Sequence, residues 1–172
     1  MSYVDLIDET ICALITAPGP SGISVLRVSG PKALVYAKKH CGFLPETPES
    51  HKVYFGNFKA SDGEIVDEVL ATYFAKGKSV IGDETLEIST HGGFFPSNRA
   101  LMELTGTGCR PAERGEFSFR AFYNGKLDLV QAEGVLSVIN SKSDIARGLA
   151  IKQLKGHLSN HIPEIEEGMI HV

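Results

Sequence analysis

The spacing of hydrophobic and polar positions changes along the chain, and the change divides it. Thr10 to Ile15 and Ile23 to Val28 are runs dominated by β-favouring residues, and PGPSG breaks the chain between them. Pro31 stands where a first helical residue belongs, and Lys32 to His40 carries apolar residues at helical spacing before Gly42 ends it. KVYFGNF and EIVDEVLATYFA flank the turn SDGE, which predicts a hairpin. TLEIST, from Thr85 to Thr90, alternates as a half-buried strand does. His91-Gly92-Gly93 punctuates its end, and the spacing predicts a helix over Phe94 to Leu104.

After Asp128 the period becomes helical. Asp128 and Gln131 form a capping-box pattern, and Leu129, Ala132, Val135, Leu136 and Ile139 fall on one face. A second helix starts near Ser143, with Ile145, Leu149, Leu154 and Leu158 as its stripe. Ile162, Ile165, Met169 and Val172 continue the spacing past Pro163. The stripe is still in progress at Val172, as expected of a fragment of a longer chain. The pattern predicts an α+β domain over residues 1–125 and the beginning of an all-helical domain over residues 126–172.

Composition narrows the function classes. Hydrophobic content of 42% and charged content of 22% in 172 residues are ordinary globular values. The net charge of −4 argues against a dedicated nucleic-acid binder, whose affinity rests on a basic stripe against phosphates. No apolar run approaches the roughly 20 residues of a membrane span, and the N-terminus lacks a basic-then-apolar signal pattern. Cys12, Cys41 and Cys109 are odd in number and form no CxxC pair, which predicts reduced thiols and a cytoplasmic protein.

Candidate chemistry is sparse. Gly77-Lys78-Ser79 follows a strand, but a P-loop needs GxxxxGK[ST], and the position five before Gly77 is Thr72; an exposed loop is the reading. His157 and His161 are four apart, a metal-capable spacing, yet no third ligand accompanies them, so they read as surface histidines. His91, followed by two glycines, fits a ligand contact and a strand-end turn equally. Arg27 in SVLRVSG and Glu87 in TLEIST are charges inside apolar strands, and a half-buried charge needs a partner. Either they form a structural ion pair, or both face a polar ligand cleft. In RGEFSFRAFYNGKLDL a helix runs from Gly115 to Phe122 and Asn124-Gly125 stops it. Lys126 then lies on the turn between two helices, where a cation can meet a ligand anion.

GISVLRVSG, GDETLEISTHGG and RGEFSFRAFYNGKLDLVQAEGV, in this order and spacing, resemble the N-terminal portion of the MnmE (TrmE) family of bacterial tRNA modification GTPases. The resemblance covers essentially the whole chain, and its third motif is the most specific. It implies a tetrahydrofolate-binding domain related in fold to the aminomethyltransferase of glycine cleavage. A helical domain would follow, with a Ras-like G domain inserted into it beyond this sequence. The implied activity of the full-length protein is potassium-dependent hydrolysis of GTP, with magnesium. Together with a flavoprotein partner, MnmG (GidA), it would place an aminomethyl or carboxymethylaminomethyl group on C5 of the wobble uridine of tRNA.

The resemblance further implies a homodimer built through the N-terminal domain. The implied cofactor is 5-formyl- or 5,10-methylene-tetrahydrofolate, contacted by Arg27, Glu87 and Lys126; no catalytic residue and no metal ligand falls in this stretch. Arg114-Gly115-Glu116-Phe117 stands where relatives have Pro-Gly-Glu-Phe, and Gly82-Asp83-Glu84 where they have Gly-Glu-Asp. A stand-alone folate enzyme of the aminomethyltransferase type and a ligand-free assembly module are the competing readings.

Overall fold

The structure, a computed structural model, describes residues 7–156. Two compact units make up the chain, Met1–Phe117 and Ser118–Val172. The expected stripe at Leu158, Ile162, Ile165, Met169 and Val172, and the pair His157 and His161, lie outside the described residues.

The first unit is an α+β fold around one six-stranded mixed sheet. Its strands are β1 (Ile11–Leu14), β2 (Ile23–Ser29), β3 (Val53–Lys59), β4 (Ile65–Phe74), β5 (Thr85–His91) and β6 (Arg110–Pro111). They lie in the order β3-β4-β5-β2-β1-β6. All neighbours are antiparallel except β1 and β6, which run parallel with Ile11 opposite Arg110. This unit contains the helices α1 (Ala33–His40) and α2 (Phe94–Thr107). A third, α3 (Glu116–Tyr123), straddles the division between units.

Alternation sorts the strand residues onto two faces. Leu26 and Val28 of β2, Leu86 and Ile88 of β5, and Ala71 and Tyr73 of β4 are buried together with Ala33 and Ala37 of α1 and Ala100 and Leu104 of α2. The helices therefore cover one face. Cross-strand rows on the other face read Phe55–Leu70–Ser89–Val25 and Val53–Thr72–Glu87–Arg27. Much of that face stays open: Phe55 is 66% exposed, Ile23 60% and Leu70 46%.

Side chains at the start of α1 satisfy its unpaired amides. Thr10 Oγ1 accepts the Lys32 N–H at 2.9 Å, and Glu84 Oε2 accepts the Leu34 N–H at 3.2 Å. Glu84 also accepts the Tyr73 hydroxyl at 2.9 Å. Burial first, then that carboxylate, push the Tyr73 hydroxyl up to about 12. The three cysteines are buried free thiols.

In the second unit, α4 (Leu129–Asn140) and α5 (Asp144–Leu154) form a pair. Asp128 and Gln131 make the reciprocal capping box, with Asp128 Oδ1 accepting the Gln131 N–H at 2.7 Å. Ser143 caps α5 by accepting the Ala146 N–H. Of the apolar stripes that the periodicity marks, Leu129, Leu136, Ile139, Ile145 and Leu149 are exposed. The helices meet instead at Gly134, where an added Cβ would come within 2.9 Å of the Leu154 nitrogen. An apolar period reveals that a helix has an apolar face, but not what covers it. Among the described residues no helix is long and apolar enough to cross a membrane.

Candidate functional site

Arg27 and Glu87 occupy directly opposed positions of β2 and β5 on the open face of the sheet. The Arg27 Nε and Nη2 both donate to Glu87 Oε1, at 3.0 and 2.6 Å. Their side chains remain 19% and 29% exposed, so the pair is shielded without being sealed. The guanidinium also lies 5.3 Å from the centroid of the Phe117 ring. Because Oε1 takes both bonds from Arg27, Oε2 is left as an acceptor for something else.

Arg27 and Glu87 bind each other, and they form part of the wall of a cleft of about 330 Å³. Small-molecule sites occupy about 300–1,000 Å³, so the volume suits part of a ligand or a compact one. Phe74, Thr85 and His51 line the cleft, and so do Lys78 and Ser79.

Lys78 and Ser79 come from the Gly77-Lys78-Ser79 stretch that reads as an exposed loop. Lys78 is exposed, but Ser79 is buried, and the connection between β4 and β5 forms one side of the cleft. Its backbone is turned inward on itself. The Gly77 N–H donates to Gly82 O at 2.7 Å, the Lys78 N–H to Ala75 O at 2.8 Å, and the Gly82 N–H to Ser79 Oγ at 2.9 Å. Amides spent on these turns cannot wrap a phosphate, so the P-loop reading fails on geometry as well as on sequence.

His91 lies farther along the same face. Its Nδ1 is 2.7 Å from Asp67 Oδ1, and its backbone N–H donates to Asp67 Oδ2 at 2.7 Å. The hydrogen bond to Asp67, then its charge, hold the imidazole above its ordinary pKa. His91 lines a second hollow, of about 310 Å³, with Ile23, Phe55 and Leu70. Gly92 has an internal reason to be glycine, since an added Cβ would sit 1.9 Å from the Ser21 carbonyl oxygen. The turn PGPSG packs directly on the end of β5.

Lys126 follows Gly125, whose φ of 65° ends α3. The Lys126 N–H donates to Ala121 O at 2.8 Å, and its side chain is exposed on the turn before α4, as the sequence predicts. It belongs to the second unit, whereas Arg27 and Glu87 belong to the first. Among the described residues no group of histidines, cysteines and carboxylates could hold a metal ion.

The family described as GTP-binding protein TrmE N-terminus matches residues 10–126, which include all three candidate contacts. The chain belongs to this family. It is 58% identical over 162 residues to the tRNA modification GTPase MnmE of Bdellovibrio bacteriovorus, covering 94% of this chain and 34% of that protein. It is 41% identical to the MnmE of Opitutus terrae and 42% identical to that of Saccharophagus degradans, in each case covering 96% of this chain and 36% of the relative. The chain spans about a third of the length of these curated relatives. The stretches GISVLRVSG and GDETLEISTHGG contain the two antiparallel neighbours β2 and β5, which explains how distant parts of the chain converge on one ion pair.

Proposed function

We propose that this chain is the folate-binding and dimerising part of a tRNA-modifying GTPase, and that Arg27, Glu87 and Lys126 contact a tetrahydrofolate derivative. The observation that carries the proposal is the Arg27–Glu87 pair on the wall of the open-face cleft, with Glu87 Oε2 left to accept a further bond. A pterin presents N–H donors along one edge, which suit a carboxylate oxygen. Its aromatic ring system suits a wall that includes Phe74, and its carboxylate tail calls for cations. The donor set therefore fits 5-formyl- or 5,10-methylene-tetrahydrofolate, which would supply a one-carbon unit when bound. Arg27 holds the Glu87 carboxylate in place, and Lys126 is the further folate contact of this reading. The folate-binding fold is taken to be of the aminomethyltransferase type, with a functional division near residue 125.

In the full-length protein the proposed activity is GTP hydrolysis with magnesium and potassium, in the cytoplasm. A flavoprotein partner (MnmG) would act with it on C5 of the wobble uridine of tRNA. The relatives are named tRNA modification GTPases, which supports this reading. Self-association is supported by Ile23, Val53, Phe55 and Leu70, which leave an apolar stretch exposed beside the cleft. Calorimetric titration with 5-formyltetrahydrofolate tests the folate reading on wild type, Arg27→Ala, Glu87→Gln and Lys126→Ala. Loss of one charge-assisted hydrogen bond, about 1.5–3 kcal/mol, weakens binding roughly ten- to hundredfold. Folded variants that bind as wild type does would make these residues structural and move the site elsewhere.

A further inference from the structure

We propose that His51 and Lys78 form the anion-binding end of the cleft, and that they set a preference for folates carrying several γ-linked glutamates over one. The inference rests on the folate reading above and adds to it the part of the ligand that the two residues hold.

His51 is the only non-glycine residue with a positive φ among the described residues, at 67°. Left-handed backbone is disfavoured for side chains bearing a Cβ, and where it occurs outside glycine it concentrates at functional sites. Here it is fixed from several sides. The His51 N–H donates to Tyr73 O at 2.7 Å, and the imidazole stands edge-on to Phe74, with ring centroids 5.2 Å apart. Ser50 Oγ lies 3.0 Å from His51 Nδ1 and itself accepts the Ala75 N–H at 3.1 Å. Ser50 Oγ accepts from Ala75 with one lone pair, and its hydrogen is free to go to Nδ1. In the tautomer that accepts this hydrogen at Nδ1, the ring N–H is at Nε2 and can donate to a ligand, and the imidazole lines the cleft.

The charges of the cleft point the same way. Glu87 is its one carboxylate, and Arg27 compensates it at 2.6 Å. Lys78 is left as a cation with no counterion in the lining, carried on a connection whose Gly77, Lys78 and Gly82 amides bond within it. A cleft with a neutralised ion pair on its strands, and an uncompensated ammonium and an imidazole N–H on its other walls, discriminates along a ligand. The strands take the neutral, donor-rich ring, and the other walls take the anionic tail. Each added γ-glutamyl residue brings one more carboxylate within reach of that end.

The test compares 5-formyltetrahydrofolate bearing one glutamate with the same compound bearing three, titrated calorimetrically into the whole chain. Wild type is expected to bind the triglutamate about tenfold more tightly at low ionic strength, with a preference that shrinks as salt is raised. Lys78→Gln and His51→Gly are expected to weaken the triglutamate several-fold more than the monoglutamate, and the double variant to abolish the preference. Glycine tolerates the φ of residue 51, so the fold survives that change. Glu87→Gln is expected to weaken both forms equally. A wild type that binds both forms equally, or variants that keep the wild-type preference, overturns the inference and leaves the folate reading standing. A wild type that binds neither overturns both.

Discussion

Replacing Glu87 by Gln preserves the shape of the side chain, removes its charge, and leaves Arg27 opposite a neutral amide. Only 19% of the Arg27 side chain meets water, so the stranded guanidinium cannot recover its full hydration. Fully exposed ion pairs contribute about 0.2–1 kcal/mol, while breaking a fully buried pair costs about 3–5 kcal/mol. The Arg27–Glu87 pair lies between these limits, so each of Glu87→Gln and Arg27→Met is expected to cost about 1–2 kcal/mol in the ligand-free chain. For a chain of this size, 1 kcal/mol lowers Tm by about 2–4 °C. The double variant removes both charges and should cost less than the sum of the single ones, with a coupling of about 1 kcal/mol. Urea unfolding of the four proteins gives the cycle directly. Single variants whose effects simply add, within about 0.3 kcal/mol, would show that the pair is not formed in solution, and the reasoning about the wall of the cleft would fail with it.

Two further predictions follow from the open face. His91 titrates above its ordinary value because of Asp67, so the contribution of this pair to stability is fully present below the unfolded-state pKa and is lost as pH rises through the folded one. An NMR titration of the His91 ring should show Asp67→Asn moving its midpoint down, and an unchanged midpoint would refute the pairing. Gly92→Ala forces a methyl against the Ser21 carbonyl and is expected to destabilise by about 3 kcal/mol, at the upper end of overpacking effects; a Tm within a degree of wild type would show that the turn gives way freely.

Local pattern carried most of the elements. β-Favouring residues marked β2 and alternation marked β5, and both placed Arg27 and Glu87 among apolar neighbours, because a half-buried strand repeats every two residues whatever else it touches. Asp128 with Gln131 marked the start of α4 for the same reason, since a capping box is a local hydrogen-bond pair. What could not be read depends on long-range contact. Lys78 and Ser79 looked like an exposed loop, because nothing in GKS tells that the connection lies beside Arg27 and Glu87. His51 lies in a polar segment without periodicity, and its positive φ is set by Tyr73 and Phe74 across the sheet edge. The short strand β6 escaped because Arg110 and Pro111 carry no strand signal; pairing with β1 defines it.

The central claim is that a folate binds on the open face of the sheet at the Arg27–Glu87 pair. The direct measurement is an amide NMR map of the isotope-labelled chain titrated with 5-formyltetrahydrofolate. The account predicts that the largest shifts fall on Arg27, Thr85, Glu87 and the connection around Ser79, with a response at Lys126. Saturable shifts confined to other parts of the chain, with Arg27 and Glu87 unmoved, would contradict it.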